Sequence, residues 1–177
     1  MNYLVQKHPS YKQVSQRLLM FVLIALLAGC DRPANFEEMV PTSFETAKSH
    51  LKAVRVTVTG GQETQAVGRP LITNGAFAQA LIESITKSRT FAKVIDGESQ
   101  EEDYLLTVTL FSMDKRLFGR SVKLEAGWTL RRASSGTVVW KESIVSENAE
   151  SDVKVATEGA ARSNIAKGLA KMAKLDL

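Results

Sequence analysis

The chain carries one cysteine, Cys30, and what stands before it decides what the rest has to fold into. Residues up to Arg17 hold Lys7, Lys12 and Arg17 and no acidic residue, and Leu18–Leu27 is then almost purely apolar. A basic start, an apolar stretch of about ten residues and a small-residue end form the pattern of a secretory signal. The stretch is shorter than the roughly 20 apolar residues that a membrane span requires. Removal of residues 1–29 leaves a chain of 148 residues, enough for one domain with a hydrophobic core. Its single cysteine has no partner within the chain, so the fold must stand on packing rather than on disulfides. Taking Lys7, Lys12 and Arg17 from the 23 basic residues leaves 20 against 19 acidic ones. The high isoelectric point therefore belongs largely to the leader, and no nucleic-acid partner is expected.

Leu26-Leu27-Ala28-Gly29-Cys30, followed at once by Asp31, Arg32 and Pro33, resembles the lipobox of bacterial lipoproteins. The resemblance implies that the Cys30 thiol receives a diacylglycerol, that the chain is cut before Cys30, and that the new amine is acylated. Each buried methylene of such an anchor contributes about 0.8 kcal/mol of membrane affinity. The implied location is the periplasmic face of the bacterial envelope, with the membrane as first partner. The residues alone also allow a plain signal cleaved near Ala28, or an uncleaved anchor. Asp31 resembles the sorting signal that keeps a lipoprotein in the inner membrane, but Arg32 is not its usual partner. Inner and outer membrane both stay open.

Residues 30–43, with Pro33 and Pro41 and few apolar points, read as a lipidated tether, and 44–177 as a single domain. Val54–Thr59 alternates strictly and is rich in β-branched residues, the pattern of a strand. Asn74 is a candidate N-cap for a helix over Gly75–Ser88, whose Phe77, Ala78, Leu81, Ile82 and Ile85 make one apolar stripe. Phe91–Ile95 reads as a short strand. Tyr104–Phe111 is apolar on both faces and so central in a sheet. Val122–Arg132 and Thr137–Val145 flank the turn Ser134-Ser135-Gly136 and form a hairpin. A last helix over Val153–Ala173 is rich in Ala and Gly, and its backbone is expected to lie close to the sheet. Arg162-Ser163-Asn164 reads as part of its exposed face. The order gives an α+β two-layer sandwich, a mostly antiparallel sheet with two main helices on one face.

Four further stretches carry a second resemblance: Phe77-Ala78-Gln79-Ala80-Leu81, Phe91-Ala92-Lys93-Val94, Asp103-Tyr104-Leu105-Leu106 and Ser135-Gly136-Thr137-Val138-Val139-Trp140. Together they look like a pattern found in lipoprotein activators of penicillin-binding proteins, the amino-terminal domain of the TolB translocation protein, and LptE-like and transport-auxiliary lipoproteins. Ser135-Gly136 stands where those proteins have Thr-Gly. The resemblance implies a βα-sandwich adaptor fold and transfers no functional residue.

Catalytic chemistry finds little material. The mature chain has one histidine, His50, placed just ahead of the first strand, and no nucleophile elbow. No set of His, Cys and acidic residues has zinc spacing, and Glu101-Glu102-Asp103 lacks the spacing of a calcium loop, so no metal and no cofactor is expected. Lys115, Arg116, Leu117, Phe118 and Arg120 form a basic loop with two apolar residues, a candidate contact loop for anionic headgroups or a partner protein. The expected function is a non-catalytic accessory lipoprotein, an adaptor with an envelope protein partner. The alternative is a carrier or sensor of an apolar ligand held between helices and sheet.

Overall fold

The computed structural model describes residues 33–44, 49–61, 71–95, 101–115 and 121–177. They belong to one compact unit, Arg32–Leu177. In chain order the elements are α1 (Phe36–Met39), β1 (His50–Thr59), α2 (Asn74–Ser88), β2 (Phe91–Ile95), β3 (Tyr104–Lys115), β4 (Ser121–Arg132), β5 (Val138–Ala149) and α3 (Val153–Met172). The strands form one sheet in the order β2-β1-β3-β4-β5. The long β3-β4-β5 ribbon is antiparallel, and β1 lies parallel to both β2 and β3. The α+β sandwich with a mostly antiparallel sheet is therefore borne out, with a smaller parallel part in which α2 connects β1 to β2.

Alternation sets the inner face. Val54 and Val58, Tyr104 to Leu110 at even positions, Val122 to Leu130 at even positions, and Ile144 are buried. Each such large apolar side chain contributes about 1.5–3 kcal/mol when fully buried. The pattern in β3 runs true to Leu110 and then breaks, because a bulge between Leu110 and Ser112 leaves Phe111 outside the ladder. Past the bulge β3 continues to Lys115, four residues beyond the strand expected over Tyr104–Phe111. Phe111 lies on the open face, where its ring covers the bare backbone of Gly127.

The helix after β1 starts one residue earlier than expected. Thr73, not Asn74, is its N-cap, and its hydroxyl accepts from the Ala76 N–H at 3.1 Å. Asn74 instead accepts from the Gly61 N–H at 2.6 Å and ties the end of β1 to the start of α2. Both residues are good caps, and the one outside the helix took the role.

Close approach of α3 to the sheet is as expected. A Cβ on Gly168 would lie 2.6–2.8 Å from three atoms of the Trp128 ring. The helix turns a polar residue, Asn164, inward, where the pattern of Arg162-Ser163-Asn164 predicts an exposed face. Asn164 is fully buried. It accepts from Trp128 Nε1 at 3.0 Å and donates to the Ile144 carbonyl at 2.8 Å.

The expected tether is also different. From Ala34 the chain is docked on the helices: Ala34, Met39 and Val40 are buried, and α1 packs on α2 and α3. Met39 and Phe36 supply the apolar contacts that a free tether would lack.

Candidate functional site

Topology divides the domain into two poles. At one pole β1 and β5 end and α2 and α3 begin; at the other β1 starts, the β4–β5 hairpin turns and α3 ends. The pairing of Lys115 with Val122 puts the end of β3 and the start of β4 at the first pole. Of the candidate contact loop, Lys115 ends β3, while Arg116, Leu117, Phe118 and Arg120 lie outside the described residues, as do Cys30 and Asp31.

The docked segment enters at the first pole. The Ala34 N–H donates to the Leu71 carbonyl at 2.9 Å, just before α2. The next amide, of Asn35, donates to Glu158 Oε1 at 2.8 Å. Glu158 is only 4% exposed, and the same oxygen pairs with Lys154 Nζ at 2.8 Å. A carboxylate so placed is affordable only with a charged partner and a hydrogen bond, and here it has both. One turn on, Arg162 donates from Nε to the Glu38 carbonyl at 2.8 Å. Asn35 caps α1 by accepting from the Glu37 N–H at 3.3 Å. Two residues of α3, Glu158 and Arg162, thus clamp the segment, and Lys154 on the same helical stripe holds Glu158.

The segment then runs to Phe44, beside Ser88, Thr90 and Leu169, where a cleft of about 390 Å³ opens between the ends of α2 and α3. Its rim is half polar, with Ser43 and Lys167 alongside Phe44 and Ala170. Behind it the space between α3 and the sheet is occupied by the Trp128 ring against Gly168.

His50 is not ahead of the first strand but opens it, and its side chain is buried. Its Nε2 lies 2.9 Å from the Met172 carbonyl, and its ring is 5.3 Å from that of Phe91. The imidazole joins the start of β1 to the last turn of α3, so it serves the fold.

Nearby, Asp103 explains one of the recurring stretches. Its N–H donates to the Ala53 carbonyl at 3.0 Å and its carboxylate accepts from the Ala53 N–H at 2.8 Å, which starts the β1–β3 pairing. Glu101, exposed, pairs with Lys93 at 2.9 Å. The Lys93 hydrogen bond, and then its charge, hold the Glu101 carboxyl below the usual carboxylate range. The described residues contain no group of three or more His, Cys, Asp or Glu that could hold a metal ion. No helix among them is long and apolar enough to cross a membrane.

No family model matches the chain, and no curated protein does. Solved structures do. The chain is similar to protein XCC0632 of Xanthomonas campestris, of family DUF330, at 12% identity and a TM-score of 0.56, over 76% of this chain and 89% of that one. PelC from Paraburkholderia phytofirmans, solved as a dodecamer, matches at 17% identity and a TM-score of 0.53, over 74% and 95%. The hypothetical protein CT253 of Chlamydia trachomatis matches at 10% identity and a TM-score of 0.52, over 71% and 98%. At these identities the likeness shows a shared fold.

Proposed function

We propose that this protein is a lipoprotein on the periplasmic face of the envelope, acylated on Cys30, and a non-catalytic adaptor in envelope assembly or transport. The observation that carries the reading is the run Leu27-Ala28-Gly29-Cys30 at the end of a basic-then-apolar leader. The fold supports it in one respect. A βα-sandwich in which the one mature histidine, His50, is bound into the packing is in keeping with an adaptor. PelC shows that a chain of this fold can assemble as a dodecamer, and assembly is in keeping with an adaptor's work.

In mechanism, acyl chains on Cys30 confine the domain to a membrane surface. Confinement raises the effective concentration near a partner in the same membrane and so strengthens a weak contact without new interactions. The β3–β4 connection, with Arg116, Leu117, Phe118 and Arg120, is the contact loop in this reading. The carrier reading draws on the cleft beside Phe44, which is at the small end of the volumes that hold small ligands, with a half-polar rim.

Affinity capture from crosslinked envelopes, with Cys30→Ser as control, tests the adaptor. A reproducible partner that depends on Cys30 supports it. Acylated protein that captures nothing contradicts it and turns attention to the cleft.

A further inference from the structure

The docked segment fixes how the domain stands relative to the lipid, given acylation of Cys30 as proposed above. Ala34 is already bonded to Leu71, and Asn35 to the buried Glu158. Only Asp31, Arg32 and Pro33 separate the lipid-bearing cysteine from that fixed point. Four Cα–Cα steps span at most about 14 Å when fully extended. A free tether through Ser43 would have spanned about 45 Å on the same geometry. The headgroup layer on one side of a bilayer takes up about 5–8 Å of the available 14. What remains is too short to hold a protein away from the surface.

The point of attachment also selects which end faces the lipid. Ala34 sits at the pole where α2 and α3 begin. The first turn of α3, one turn from Glu158, exposes two valines, Val153 at 41% and Val155 at 47%. Val155 falls on the same helical stripe as Glu158 and Arg162, the residues that clamp the segment. From these observations we propose that the domain rests directly on the bilayer. The first turn of α3, with Val153 and Val155, lies against the lipid headgroups, and the β4–β5 turn at Ser134–Gly136 points away from the membrane. β4 alone separates the two poles by about 37 Å at strand rise. Any partner that meets the far pole must therefore reach this height, and a partner that meets the near pole is met at the membrane surface itself.

Site-directed quenching tests this. Full-length protein carrying Val155→Cys or Ser135→Cys is expressed, purified from membranes, labelled with a fluorophore, and placed in phosphatidylethanolamine–phosphatidylglycerol vesicles doped with headgroup nitroxide lipid. Cys30, held as a thioether, does not take the label. The expected result is quenching several-fold greater at position 155 than at 135. A second variant, with about fifteen Gly and Ser residues inserted between Pro33 and Ala34, is expected to lose most of that contrast. Equal quenching at the two positions of acylated protein overturns the orientation and leaves the anchor standing. A contrast that survives the inserted linker overturns the claim that short reach sets it. A mass spectrum without acyl groups on Cys30 overturns the anchor and the orientation together.

Discussion

Replacing Asn164 by alanine is expected to cost more than any ordinary surface change on α3. The side chain is fully buried and joins three elements: Trp128 on β4, Ile144 and Ser146 on β5, and α3 itself. Alanine at this position leaves the Trp128 indole N–H and the Ile144 carbonyl without their partners. A buried polar group left unpaired costs about 1–3 kcal/mol. Two such groups give about 2–6 kcal/mol, with a central value of about 4, before any term for the space left behind. Water cannot readily repair the loss, because the ring of Trp128 fills the adjoining space against Gly168. With a urea slope of about 2 kcal/mol per molar, the unfolding midpoint is expected to fall by about 2 M. The assay is urea unfolding followed by tryptophan fluorescence, with Trp128→Phe and the double variant completing a cycle. The Trp128–Asn164 hydrogen bond is expected to appear as a coupling of about 1 kcal/mol. A midpoint change below about 0.5 M for Asn164→Ala, equivalent to about 1 kcal/mol, would refute the reasoning that this amide holds helix and sheet together.

Glu158→Ala removes the acceptor of the Asn35 N–H and the partner of Lys154, and is expected to free residues 34–44 from the domain. Limited proteolysis within that segment, faster than in the parent while the core stays folded, checks it. Gly60 has φ of +81°, and a Cβ there would overlap the Leu110 carbonyl, so Gly60→Ala is expected to lower stability by about 1–3 kcal/mol in a thermal melt. Lys93→Ala is expected to return the Glu101 carboxyl to the ordinary range, as read by carboxyl NMR titration. Because the pair depresses that group, its small contribution is present above the unfolded pKa and is lost as pH falls through the folded one. Leu117→Ser with Phe118→Ser is expected to abolish partner capture, and capture at the parent level would dismiss the contact loop.

Much of the fold was legible because period and punctuation agreed. Alternation in Val122–Arg132, closed by Ser134-Ser135-Gly136, led directly to the hairpin, and Gly136 adopts φ of +68° at its turn. The small residues of α3 announced close packing, and Gly168 against Trp128 is that contact. Three features were hidden for separate physical reasons. Asn164 reads as a surface residue because polarity alone does not reveal that a buried indole on another element needs an acceptor. The Phe111 bulge shifts the parity of β3 by one, which no local pattern encodes. The segment from Ala34 has too few apolar residues to promise a packed element, and it is held instead by Glu158 and Arg162, more than 120 residues away. The parallel pairing of β1 with β3 is likewise long-range, started by the Asp103–Ala53 exchange. Of the candidate site, residue types near Cys30 spoke of location, while the geometry that makes location consequential came from the docking of residues that looked like a linker.

Anchor, orientation and adaptor role all depend on the chemistry at Cys30, and the most direct measurement is the mass of the amino-terminal peptide of the protein extracted from cell envelopes. A chain that begins at Cys30, with a diacylglycerol on its thiol and an acyl group on its amine, is the predicted result. A chain that retains residues before Cys30, or begins there with a free thiol and amine, contradicts it.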